Sequence, residues 1–163
     1  MKKVDVKGLV RLAVVAAVYV VVTLAGSWMA YGPVQFRVAE MLMLLCFYRR
    51  DYVYSLVLGC GIANLFSPMA ALDVPFGTGA TLLAALGIVF LARNLWAASL
   101  FPVILNGIIV GIELNVAFNE PLLLSMGTVA LGELVVVTVV GVPVFKLLER
   151  NAYIKNRILL AQS

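Results

Sequence analysis

Charged and amide side chains lie deep inside otherwise apolar segments of this chain. A charged side chain at the centre of a membrane helix costs about 2.5–3.5 kcal/mol on insertion scales. Such residues therefore indicate a functional site, and we take them, with one neighbouring aromatic residue, as candidates for ligand binding. They are Gln35, Phe36, Arg37, Glu40, Asn64, Asp73, Asn106, Glu113 and Glu133.

The carboxylates in this set outnumber the cations. Glu40, Asp73, Glu113 and Glu133 are accompanied by a single basic residue, Arg37. Unpaired carboxylates in a medium of low dielectric either take up protons or find a cation. The imbalance predicts a ligand that is cationic or rich in N–H donors.

The spacing of these residues indicates shared helix faces. Arg37 and Glu40 are three positions apart, and Asn106 and Glu113 are seven apart, so each pair points to one side of a helix. A purely structural alternative is that Arg37 pairs with Glu40 while Asn64 and Asn106 hydrogen-bond between helices.

Composition indicates a membrane protein. The chain has 163 residues, of which 64% are hydrophobic and 12% charged, and its mean hydropathy is +1.09. A soluble domain carries about twice that charged fraction. Because backbone amides in lipid must be satisfied internally, we predict an all-α bundle of six membrane spans that forms one domain over residues 1–163. The predicted spans are 9–29, 34–48, 54–72, 76–92, 97–117 and 122–147.

Basic residues indicate how the bundle is oriented. Of the twelve Lys and Arg residues, all but Arg37 flank predicted spans on the same side of the membrane. Short loops rich in Lys and Arg stay cytoplasmic, so we predict that both termini are inside. The polar set then lies in the middle and outer parts of the membrane, in a cavity that opens outward.

Small residues recur at four-residue spacing on three predicted spans. The pairs are Ala13 and Ala17, Ala80 and Ala84, and Gly107 and Gly111. Such pairs let helices approach closely in lipid. We expect the second and third pairs to pack inside the bundle. For Ala13 and Ala17, on a span that is otherwise smooth and aliphatic, contact with another membrane subunit is as good an explanation.

Several kinds of chemistry are excluded or disfavoured. The chain has no histidine, which removes the commonest metal ligand and general base. It has no phosphate-binding glycine loop of the Walker type, so it does not itself use ATP. Cys46 and Cys60 fall inside apolar runs and are expected to be packing thiols. We therefore predict that the chain is not an enzyme and holds no metal or cofactor.

Five segments, in order along nearly the whole chain, resemble the QueT family, the substrate-binding S-components of energy-coupling factor (ECF) transporters for queuosine precursors. The first is the most specific. The segments are 31–40 (YGPVQFRVAE), 63–68 (ANLFSP), 72–78 (LDVPFGT), 106–113 (NGIIVGIE) and 132–133 (GE).

The resemblance implies a ligand such as 7-aminomethyl-7-deazaguanine (preQ1), which carries a protonated amine and a guanine edge with two adjacent N–H donors. One carboxylate would accept the two donors and a second would pair with the amine. Glu40 and Glu113 are the expected pair, unassigned between these roles, with Glu133 in reserve.

The remaining residues are expected to assist. Asn106 and Gln35 would read the ring carbonyl or a ring nitrogen. Arg37 would orient a carboxylate or contact the ring carbonyl. Phe36 would stack on the ring, although aromatic residues near a membrane interface are common in any case. Asp73 either joins the site or caps the turn between the third and fourth spans.

The resemblance also implies partners and a location in the cell membrane. An S-component works with a transmembrane coupling subunit and two cytoplasmic ATPases, and Ala13-x-x-x-Ala17 resembles the motif that docks on the coupling subunit. The alternatives are an S-component for another vitamin or nucleobase, and a solitary facilitator that needs no ATPases.

Overall fold

The chain folds into helices in the computed structural model, which describes residues 6–27 and 36–159. Helix α1 is Val6–Ala25. A 3₁₀ segment, Val38–Leu44, leads into the short α2, Leu45–Tyr48. Then follow α3 (Tyr52–Leu65), α4 (Ala70–Leu91), α5 (Leu95–Phe118), α6 (Leu122–Glu133), a π-helical segment (Leu134–Gly141), α7 (Val142–Arg150), α8 (Ala152–Ile154) and a second π-helical segment (Lys155–Leu159). The described residues form no strand, as an all-α fold predicts.

Four helices in this part of the chain are long and apolar enough to cross a membrane. They are Val6–Ala25, Ala70–Leu91, Leu95–Phe118 and the continuous helix Leu122–Arg150. The second and third predicted spans are instead the short apolar helices Val38–Tyr48 and Tyr52–Leu65. At about 2.0 Å per residue in the 3₁₀ segment and about 1.5 Å in the α-helical turns, each falls well short of a hydrocarbon core of about 30 Å.

The predicted break between the third and fourth spans was wrong. We placed it at Asp73-Val74-Pro75, but α3 ends at Leu65 and α4 begins at Ala70 and runs through Pro75. Two compensations explain this. Asp73 is buried in protein rather than in lipid, where Ser67 donates a hydrogen bond to it. A helix in a membrane also tolerates proline, because neighbouring groups satisfy the freed backbone.

The small-residue pairs pack as their positions suggested. Ala80 and Ala84 are fully buried. At Gly111 a β-carbon would lie 2.7 Å from the α-carbon of Met126, so only glycine lets α5 approach α6 this closely. Ala13 and Ala17, in contrast, are exposed on α1. The two thiols, Cys46 and Cys60, are free and buried.

Basic residues lie together at one end of the bundle. The first and last described segments of the chain also meet there. The side chains of Arg11 on α1 and Arg49 both pair with Asp51, in the loop before α3. Tyr52 donates to the backbone oxygen of Ile158, 2.8 Å away. The start of α1 and the C-terminal segment therefore meet at this end, which we call the basic end.

Candidate ligand-binding site

Seven of the polar residues singled out in the sequence are buried. They come from five segments: Arg37 and Glu40 from the 3₁₀ segment and the residue before it, Asn64 from α3, Asp73 from α4, Asn106 and Glu113 from α5, and Glu133 from the end of α6. None of the seven is more than 4% exposed. Gln35, the eighth polar candidate, lies outside the described residues.

Arg37 anchors one side of this site. Its guanidinium donates to Oδ1 of Asn64 at 3.1 Å and lies 3.8 Å from Oδ1 of Asp73. Asn64 in turn donates to the backbone oxygen of Asp73 at 2.8 Å and more weakly to Thr78 at 3.4 Å. Arg37 therefore pairs with Asp73 rather than with Glu40, which differs from the structural alternative raised by the spacing.

The amide of Asn64 is fully used by these contacts. Its Nδ2 has three acceptors in reach and its Oδ1 accepts from Arg37. The close approach of α4 at Gly77 holds the amide in place, since a β-carbon there would lie 2.8 Å from Nδ2. Asn64 thus joins α3 to α4 and supports Arg37, as the structural alternative predicted for it.

Asn106 and Glu133 form the second side. Nδ2 of Asn106 donates to Oε1 of Glu133 at 3.0 Å. Oδ1 of Asn106 and Oε2 of Glu133 are buried and have no hydrogen-bond partner among the described residues. Glu133 is also the last residue before the π-helical segment, and π-bulges in α-helices are frequent at functional sites.

Glu40 has a partner that sequence reasoning missed. The hydroxyl of Tyr19 on α1 donates to Oε1 of Glu40, and both residues are at most 1% exposed. Tyr19 interrupts a run of valines in a segment that we had interpreted as aliphatic. Its hydroxyl was the only sign in that run that the helix contacts a polar residue. The other oxygen of Glu40, Oε2, has no partner within the described part of the chain.

Glu113 is the least satisfied of the carboxylates. It is fully buried, and neither carboxylate oxygen accepts a hydrogen bond from the described residues. It lies close enough to Asp73 and Arg37 to interact with both electrostatically. Buried polar atoms are nearly always hydrogen-bonded, so both oxygens of Glu113 remain available to a donor.

Together these residues present five buried oxygens without donors in the described structure. They are Glu40 Oε2, Asn106 Oδ1, both carboxylate oxygens of Glu113, and Glu133 Oε2. Arg37, the one basic residue among them, interacts with Glu40, Asp73, Glu113 and Glu133. The site therefore has spare acceptors and more acidic than basic side chains, which suits a ligand with N–H donors and a positive charge.

The other candidates, Phe36, Ala13 and Ala17, have apolar or exposed surroundings. Phe36 is half-buried and packs against the main hydrophobic core. Ala13 and Ala17 occupy the exposed face of α1, away from the site. Among the described residues no group of acidic or cysteine side chains has an arrangement that would hold a metal ion.

Comparison with known proteins identifies the family of the chain. The family model described as "QueT transporter" matches residues 9–150. The chain belongs to the QueT transporter family. It is also similar to the Queuosine precursor transporter QueT of Lactococcus lactis subsp. cremoris (strain MG1363), with 36% identity over an alignment of 148 residues that covers 82% of this chain and 87% of that protein. No solved structure matches the chain significantly.

Family membership and the apolar helices define the class of the protein. It is a multi-pass membrane protein of a transporter family, and this family is not one of enzymes. The sequence resemblance and the absence of enzymatic function that we predicted are therefore confirmed.

Proposed function

We propose that the chain is the substrate-binding S-component of an ECF-type importer and captures a queuosine precursor, such as preQ1, from outside the cell. The supporting observation is the set of five buried oxygens without donors in the described structure, gathered from two helices, α5 and α6, and the 3₁₀ segment around one arginine. The name of the Lactococcus relative supports the ligand class.

The unpaired oxygens suggest which part of the ligand each residue contacts. Glu113 has both oxygens available and is suited to accept the two adjacent N–H groups of the guanine edge. Glu40 and Glu133 each keep one oxygen free and are suited to the protonated amine. Oδ1 of Asn106 is available for a ring N–H. Arg37 holds Asp73, and Gln35 and Phe36 remain candidates for contact with the ring.

We propose that this site opens outward and that the chain is one domain with both termini in the cytoplasm. The basic end, with Arg11, Arg49 and Arg50, would then face the cytoplasm. The short helices Val38–Tyr48 and Tyr52–Leu65 would be the second and third of six membrane segments, held within the bundle by their longer neighbours.

Uptake in this proposal needs partner subunits. The exposed face of α1 carries a shallow apolar groove of about 270 Å³ lined by Val14, Ala17, Val18, Val21 and Val22. This groove is suited to a helix of the coupling subunit, because small residues allow close packing in lipid. Two cytoplasmic ATPases would drive the reorientation that releases the ligand inside.

Mass spectrometry of small molecules that copurify with the chain in detergent tests the ligand. The proposal predicts preQ1 or a related deazaguanine, recovered chemically unchanged. Recovery of a different vitamin or nucleobase would favour an S-component of other specificity. Uptake of preQ1 by liposomes that contain this chain alone would favour a solitary facilitator.

A further inference from the structure

A groove lies on the exposed side of α3 and α4, close to the basic end. Its volume is about 600 Å³, and it is lined mainly by aliphatic and aromatic side chains. We call it the α3/α4 groove. Its apolar walls include Val53, Val57 and Leu58 of α3 and Leu82, Leu86 and Phe90 of α4. None of these residues belongs to the ligand-binding site.

A cation sits at the rim of this groove. Arg50 is exposed, and its guanidinium carbon lies 5.9 Å from the centre of the Phe90 ring. Within the described part of the chain Arg50 forms no ion pair, and Arg93, also exposed, follows α4 at the same end without one. The rim therefore carries positive charge that is not neutralised.

The acidic residue at the rim does not offset this charge. Asp51 pairs with Arg11 at 3.2 Å and also with Arg49. Burial raises the pKa of Asp51, but the hydrogen bond and charge of Arg49, with those of Arg11, outweigh this and leave the pKa below its ordinary value. Asp51 is therefore already paired with two arginines, Arg11 and Arg49, and does not neutralise Arg50.

We propose that the α3/α4 groove binds an anionic phospholipid, with an acyl chain against α3 and α4 and the phosphate on Arg50. A guanidinium matches a phosphate with two parallel hydrogen bonds, and basic residues beside membrane helices attract anionic lipid. Tyr54, 75% exposed beside the groove, suits the headgroup level where tyrosine is enriched.

Charge argues against a second copy of the chain as the occupant. In a two-fold symmetric contact the same patch meets itself. Arg50 of one copy would then face Arg50 of the other, and Asp51, the acidic residue of the groove, is already paired with Arg11 and Arg49. An anionic lipid brings the complementary charge. This inference concerns a surface remote from the ligand-binding site and is independent of the identity of the transported molecule.

Photo-crosslinking of the full chain tests the inference. A photoreactive residue replaces Leu86 in the groove, and Ile104, an exposed residue of α5, serves as the control position. Each protein is reconstituted in vesicles of equal parts phosphatidylglycerol and phosphatidylcholine, and the lipid adducts are weighed by mass spectrometry. We expect the ratio of phosphatidylglycerol to phosphatidylcholine adducts at position 86 to exceed that at 104 by about fivefold or more, as a charge-assisted hydrogen bond allows.

A charge substitution then identifies the headgroup contact. Arg50→Gln should lower the ratio at position 86 to that at 104, whereas Arg150→Gln, at another exposed arginine, should leave it unchanged. Equal ratios at the two positions would overturn the proposal, as would a ratio unaffected by Arg50→Gln. An adduct with a second copy of the chain would also overturn it and assign the groove to a protein interface.

Discussion

The hydroxyl of Tyr19 donates a hydrogen bond to Glu40, which lies 21 positions further along the chain. This bond connects α1 to the ligand-binding site. The same helix exposes Ala13 and Ala17 on a different face. Tyr19 leaves one oxygen of Glu40 without a partner, so it orients the carboxylate and keeps one acceptor available.

Removing the Tyr19 hydroxyl should weaken ligand binding. In Tyr19→Phe the buried carboxylate of Glu40 loses its donor, and a hydrogen bond to a charged group contributes about 1.5–3 kcal/mol. We expect the affinity for preQ1 to fall about tenfold by calorimetry. Tyr52→Phe is the matched control, since that hydroxyl bonds the oxygen of Ile158 at the basic end. Equal affinities of the two variants would show that Tyr19 does not orient Glu40.

Two glycines of α4 should respond oppositely to alanine. At Gly79 a β-carbon would have no described atom within 4 Å, so Gly79→Ala should stabilise the helix by up to about 1 kcal/mol. At Gly77 the β-carbon would lie 2.8 Å from Nδ2 of Asn64 and displace an amide that holds Arg37. We expect Gly77→Ala to lower the melting temperature in detergent and Gly79→Ala to raise it. A rise in both would mean that the Asn64 amide relocates without loss.

The stability of the basic end should depend on pH through Asp51. Its pKa is lower in the folded protein than its ordinary value of about 3.9. The carboxylate therefore stabilises the fold above that value, and the stabilisation is lost as the pH falls through the lower, folded pKa. We expect the melting temperature of the natural chain to drop more between pH 6 and about pH 3 than that of Asp51→Asn. Parallel curves for the two proteins would contradict this.

Enlarging a small residue on the exposed face of α1 should prevent docking on the coupling subunit without affecting ligand binding. Ala17→Leu would fill the groove beside Val14 and Val21. In the proposed complex this change should abolish copurification with the coupling subunit and leave the affinity for preQ1 unchanged, because Ala17 lies on the exposed face of α1, whereas Tyr19 faces the polar site. If Ala17→Leu still copurifies with the coupling subunit, this face of α1 is not the docking surface.

The sequence indicated most of the buried polar residues, because a charged side chain in an apolar segment is energetically unfavourable. Glu113 and Glu133 stood out in runs of aliphatic residues, and the structure buries both near Arg37. Tyr19 was missed because a tyrosine in an apolar helix is ordinary, and its partner is 21 residues away. Such a pairing depends on the packing of α1 and is not encoded in local spacing.

The helical class was predictable, but helix lengths were less so. Hydropathy identified every apolar helix, yet Val38–Tyr48 and Tyr52–Leu65 are shorter than the segments we predicted. The break before α4 was misplaced because Asp73 and Pro75 look like turn residues. Asp73 instead finds its partners in Ser67 and Arg37, which no local pattern reveals.

Calorimetric titration of preQ1 into the natural chain, Glu113→Gln and Glu149→Gln tests the central claim most directly. Glu149 accepts a hydrogen bond from Tyr48 at 2.9 Å, outside the site, and serves as the control. We expect Glu113→Gln to weaken binding by at least about 1.4 kcal/mol, a tenfold loss, and Glu149→Gln to bind normally. Normal binding by Glu113→Gln, and by Glu40→Gln in the same assay, would contradict it.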